Sequence, residues 1–189
     1  MKSIRWAAAA VAATLMACGG SDSVGPGNGG GAAFTATVSG DVQTSIKGAA
    51  RFGEATDQNG GDIFAVEMSE DDSTGGGVIQ LIRIGSGIPS TGTYGLTDAV
   101  NGTPGDGDWV AAAYDTDNGQ LTATFAATSG SVKVTRAANG TYEGSFDFIA
   151  TGASMDDPSQ VLTIAVNGKF KATKPIGMAL RSAPQIRSR

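Results

Sequence analysis

The chain has 189 residues and a net charge of −5, with 16% charged residues, 40% hydrophobic residues and 29 glycines. That length suits one domain with tails, and a composition rich in small residues favours short strands and tight turns over helices. Histidine is absent and cysteine occurs once. Ser–His–Asp and Cys–His catalysis, histidine-based zinc sites, thiolate clusters and internal disulfides are therefore excluded.

The chain opens with Lys2 and Arg5, then "WAAAAVAATLMA". This apolar run is shorter than the roughly 20 residues a membrane-crossing helix needs, and it has the length of a signal-peptide core. Its last residues, Leu15-Met16-Ala17-Cys18, resemble the lipobox of bacterial lipoproteins. The resemblance implies cleavage before Cys18 and lipidation of its thiol. Met16 departs from the small residue usual at that position. Acyl chains contribute about 0.8 kcal/mol per buried CH2, so two or three of them hold a protein on a membrane. In that family the residue after the cysteine sorts the protein, and Gly19 leans toward the outer membrane. "GGSDSVGPGNGGGAA" (19–33) has the composition of a flexible tether. The expected organisation is a signal peptide over 1–17, a lipidated cysteine and tether over 18–33, a β domain over 34–173 and a basic tail over 174–189.

From Phe34 onward the sequence alternates with period two. Strands are predicted at 34–39, 44–52, 62–69, 78–84, 92–96, 109–115, 120–127, 131–136, 141–150 and 161–172. Turn signals separate them, including "DQNGGD", "STGGG", "DTDNG", "ATSGS" and "AANGT". "GVIQLIRIG" (77–85) is apolar on both faces and is expected to be covered on both. "TYEGSFDFIA" puts Tyr142, Phe146, Phe148 and Ala150 on one face, and "VLTIAVNGKFKA" does the same with Leu162, Ile164, Val166 and Phe170. These two are expected to pair as antiparallel neighbours, each with one face in a core and one in water. The only trace of helical period lies at 176–181. Ten short strands predict an all-β fold, an antiparallel β-sandwich, with a calycin-like up-and-down β-barrel as the alternative.

"GTYGL" (92–96), "GQLTATFAATSGSVKVTRAANGTYEGSFDFIATG" and "VLTIAVNGKF" together resemble an uncharacterised group of small bacterial lipoproteins with one antiparallel β domain. The resemblance spans about residues 34–173 and rests on core and turn positions. It implies a fold and brings no catalytic residue with it.

Residues 19–168 hold five basic residues (Lys47, Arg51, Arg83, Lys133, Arg136) against all 18 Asp and Glu, a net −13, while 169–189 hold six basic residues and no acid. An acidic body repels phosphate backbones, so nucleic acid is not an expected partner. Asp115 and Asp117 are spaced like the first ligands of a calcium loop. The match then fails, because Gly119 and Gln120 stand where a ligand and the loop glycine belong and Ala126 replaces the closing glutamate. The pairs Asp106/Asp108 and Asp156/Asp157 read as turn acids, because a sugar cleft also needs flanking aromatics, which are scarce. Trp109 and Tyr114 are the candidate ligand platform.

The expectation is an envelope lipoprotein with a structural or interaction role, not an enzyme and without a cofactor. Its partners are the membrane through the lipid, and a small ligand or an envelope protein. A binding module for a small apolar molecule or glycan is the alternative, and a carboxylate-based hydrolase stands behind both.

Overall fold

The computed structural model describes residues 32–57, 60–70, 75–118, 120–138 and 140–174. Nine strands run along the chain: β1 (Ala33–Gly40), β2 (Thr44–Thr56), β3 (Asp62–Glu70), β4 (Gly75–Ile84), β5 (Gly92–Gly95), β6 (Trp109–Asp117), β7 (Gln120–Ala138), β8 (Thr141–Ser154) and β9 (Leu162–Thr173). Each pairs antiparallel with its neighbours in one sheet, and the sheet closes on itself because β7 pairs with β8 and β1 with β9. The ring reads β1-β2-β3-β4-β6-β7-β8-β9, an eight-stranded barrel of up-and-down order with β5 added beside β7.

This corrects the expected sandwich in favour of the barrel. The decisive element is β7. The sequence signal "ATSGS" (127–131) reads as a turn, yet the chain runs through it as one bent strand of 19 residues. Gly130 takes φ +144° there, and the β7–β8 register shifts between Ala127 and Ser129 and again between Val134 and Arg136. These bulges sharpen the bend. The first half of β7 pairs with β6, and the second half with β5, on the same edge. β5 then runs on beside β7, with Leu96 N–H donating to Gly130 O and Ala99 N–H to Ala127 O, and Leu96 also bridges Trp109 of β6. The seam is closed by a wedge.

The expected β8–β9 hairpin is present, with Phe146 opposite Gly168 and Phe148 opposite Val166. The barrel is filled. Inward positions carry Phe34, Phe52, Phe64, Met68, Leu81, Trp109, Phe125, Tyr142, Phe146, Phe148 and Phe170 among others, with alanines between them. Eight strands enclose about the space that side chains can occupy. Rings pack in series: Phe52 lies 5.6 Å from Tyr142, Tyr142 6.1 Å from Phe170, Phe170 6.4 Å from Phe146 and Phe146 6.0 Å from Phe148. Room for them comes from Gly144 and Gly168, where an added Cβ would stand 2.8 Å from the Phe170 ring and 2.5 Å from that of Phe146.

The two barrel ends differ. One end carries the turns after β1, β3, β6 and β8. The other carries the start of β1, the end of β9, and the connections 57–61, 85–91 and 96–108, and is here called the mouth. Strand β4 is covered on both faces as expected. Ile79 and Leu81 point inward, and Gln80 and Ile82 are buried although they alternate to the outer wall. Cys18, tether residues 19–31, the trace of helix at 176–181 and most of the basic tail lie outside the described residues, while Ala33, placed in the tether from sequence, already belongs to β1.

Candidate functional site

The mouth gathers most of the polar chemistry that the barrel turns inward. Arg83 shares the inward phase of Ile79 and Leu81, and pairs across the sheet with Phe64 on one side and Trp109 on the other. Apolar alternation therefore places a cation over the top of the core. Its Nη1 donates to Ser86 O at 3.0 Å, and it makes no ion pair with a described carboxylate. Glu54 sits on the same inward row of β2, and it accepts a hydrogen bond from Gly87 N–H at 3.0 Å. Asp106 lies against Gly85, in the space where a Cβ would be, and that space is 3.7 Å from Arg83 Nη1.

Beneath Arg83 are four aromatics. The Phe64 ring is 4.9 Å from Tyr142 and 6.1 Å from Trp109, edge-on to both, and Tyr94 lies 5.5 Å from Trp109. The Tyr94 hydroxyl is held, donating to Ser90 O at 2.8 Å. The Tyr142 hydroxyl and the Trp109 indole N–H are buried and have no hydrogen-bond partner. Burial pushes the Tyr142 phenol well above its ordinary range; the Tyr94 phenol adds to the rise and the Arg83 cation opposes it. Two buried polar groups without a described partner thus lie at the same end of a filled core as Arg83, which has the Asp106 carboxylate nearby. Buried polar groups rarely lack a partner.

The residues singled out from sequence fall differently. Trp109 belongs to this cluster, with 1% of its surface exposed. Tyr114 does not: five residues along β6, it alternates to the outer wall, between Val78 and Thr124. The strand pleat separates the pair that the sequence placed together. Asp115 and Asp117 lie at the end opposite the mouth, across from Gly77 and Gly75. Asp117 accepts a hydrogen bond from Asn118 Nδ2 at 3.0 Å. Among the described residues no three carboxylates, histidines or cysteines gather to hold a metal ion. Asp108 caps its own turn through Gly105 N–H, and Asp157 does so through Ser159. Cys18 lies outside the described residues.

Sequence reading missed Arg83, Tyr94 and Tyr142. Arg83 was the legible one, because a charge on the buried phase of "VIQLIRI" breaks an otherwise apolar alternation. The convergence of Tyr94 and Tyr142 on it, from strands 48 residues apart, depends on barrel closure.

A second feature is an open depression of about 720 Å³ at the β9–β1–β2 wall, with Thr35, Lys47, Asn167 and Lys169 on its lining. Its polar groups are the exposed Lys47, Lys169 and Asn167, hydroxyls, and Glu70, whose carboxylate accepts from Gly77 N–H. Comparison of the chain with family models, curated proteins and solved structures finds no match. The chain's class therefore rests on its own fold: a closed, filled, antiparallel β-barrel with a polar mouth.

Proposed function

We propose that this protein is a lipid-anchored barrel of the bacterial envelope, held by Cys18, that works as a structural or interaction protein by non-enzymatic binding at its surface. The observation that supports this reading is the filled interior. Barrels that carry small molecules enclose an apolar cavity of several hundred Å³. Here Phe64, Trp109, Tyr142, Phe146 and Phe170 occupy that space. The up-and-down order approaches the calycin architecture, but the packed bore leaves recognition to the wall and the mouth. The barrel is also inside-out relative to an outer-membrane barrel, whose apolar band faces lipid and whose lumen is polar.

The anchor gives the mouth an orientation. β1 begins at the mouth, and a glycine-rich tether of about 15 residues would reach roughly 20 Å if it behaves as a flexible coil. The mouth would therefore stand nearer the membrane than the opposite end does. Two measurements test this reading. Palmitate labelling and membrane fractionation should both be lost in Cys18→Ser, and a variant that stays in the membrane fraction would remove the anchor. A naphthyl dye offered to the protein should show no saturable uptake, and uptake at one dye per chain would remove the surface-binding reading.

A further inference from the structure

We propose that the β9–β1–β2 wall of the barrel docks on an anionic lipid bilayer, with headgroup phosphates entering its depression. This deepens the surface-binding reading and rests on the lipid-anchored part of it. Charge is sorted around the barrel in a way that the net −13 of residues 19–168 conceals. β9, β1 and β2 are neighbours in the sheet and carry Lys169, Lys171, Lys47 and Arg51. Their one acid, Glu54, sits on the inward row. Register lines the cations up. Lys47 and Lys169 both lie opposite Thr35, one on each side of β1, so a hydroxyl stands between two exposed lysines. Their backbones are two strand spacings, roughly 10 Å, apart. In the next outward row Thr37 lies opposite Ser45 and Asn167. Neither Lys47 nor Lys169 has an ion pair among the described residues, whereas Lys171 reaches Glu143 at 3.8 Å. Glu70, at the rim, is engaged by Gly77 N–H. Ammonium, hydroxyl and amide donors in such a row suit a phosphate, which offers charge and several acceptor oxygens.

Both flanking segments leave from this wall. β1 starts at Ala33, opposite Lys171, and β9 ends at Thr173, opposite Arg51 of β2. The tether therefore meets the barrel among cations. Lys174 follows, and the sequence beyond it adds Arg181, Arg187 and Arg189 without an acid. An anionic bilayer attracts lysine and arginine within about a Debye length of its surface. End-on docking would instead present acids, with Asp98, Asp106 and Asp108 at the mouth and Asp41, Asp156 and Asp157 at the other end. The barrel would therefore lie on its cationic wall, the tethered mouth end closest to the lipid.

The test uses the full chain carrying Cys18→Ser, so that no acyl chain on that thiol contributes. Residues 1–17 are common to all variants, and differences between variants report the barrel. Co-sedimentation with phosphatidylglycerol vesicles should exceed that with phosphatidylcholine and should fall as salt rises. Lys47→Gln and Lys169→Gln should each weaken it about fivefold. Lys133→Gln on β7, an equal change of charge on another wall, should weaken it less than about twofold. Without Cys18 the chain has no cysteine. Thr37→Cys on the wall and Ala112→Cys on β6, across the barrel, can therefore each carry one polarity-sensitive dye. On phosphatidylglycerol the Thr37 label should shift to the blue and the Ala112 label should not. Equal response of the two labels overturns the proposal, as does a Lys47→Gln/Lys169→Gln double variant that binds and reports as its parent does. A Thr37 label already shielded without vesicles, in a dimer on gel filtration, gives the wall to a second copy and also overturns it. If the wall fails while palmitate labelling still depends on Cys18, the anchor reading stands. If labelling fails while the vesicle result holds, the anchor falls and the wall remains.

Discussion

Glu67 shows how a single side chain registers the wall around it. It faces outward on β3, across from Arg51 and Gln80, and accepts a hydrogen bond from Gln80 Nε2 at 3.3 Å. Burial raises its pKa above the ordinary 4.5, against the pull of Gln80 and Arg51. A raised carboxyl pKa stabilises the fold below the unfolded value, and that contribution is lost as pH rises through the folded one. Glu67→Gln should therefore raise stability at pH 7, with the difference shrinking as pH falls through the raised folded value and levelling off below about 4.5; urea melts from pH 7 to pH 4 measure it. Tyr142 obeys the same sign at the alkaline end. Its folded phenol holds the proton beyond the ordinary 10.0, so its contribution is full below pH 10 and drains above it. Tyr142→Phe should leave neutral-pH stability unchanged or slightly higher, since it removes an unpartnered hydroxyl. The variant should also lose less stability than wild type between pH 10 and 11.5. Some alkaline loss should persist, because burial raises the pKa of Tyr114 too.

At the scale of elements, β7 carries the architecture. An added Cβ at Gly130 would collide with the Asp147 carbonyl oxygen and stand 2.6 Å from Phe148 Cα, and its φ of +144° is strained for any L side chain. Gly130→Ala should cost about 2–4 kcal/mol, strain and collision together, and a shift in the denaturation midpoint without a change in slope would report it. Ring ion pairs matter far less. Glu143 reaches Arg136 at 3.7 Å and Lys171 at 3.8 Å on the outer wall, and exposed pairs of this kind contribute under about 1 kcal/mol. Much of the element layout was legible beforehand. The alternation in "TYEGSFDFIA" and "VLTIAVNGKF" predicted both inward faces and their pairing. "ATSGS" misled because a serine-glycine pair signals a turn and a bulged bend alike. Only the presence of partner strands on both sides distinguishes them.

For the whole molecule, closure has a thermodynamic consequence. The β1–β9 seam, from Ala33 opposite Lys171 to Gly40 opposite Ile164, joins the first strand to the last, so the barrel has no free edge there. Removing residues 33–40 should open two long edges. The expected outcome is loss of the single cooperative melt and association on gel filtration; a monomeric variant with a sharp melt would show that closure is dispensable. Read alone, the sequence determined the all-β class, most strand positions, the inward faces and the absence of imidazole and thiol chemistry from the β domain, because period-two alternation and residue inventory are local properties. Tertiary structure decided the rest. Closure into a filled barrel, the parting of Trp109 from Tyr114, and the meeting of Arg83 with Trp109 and Tyr142 depend on pairings between residues far apart in the chain. Pleat direction and strand register are fixed only when those partners meet.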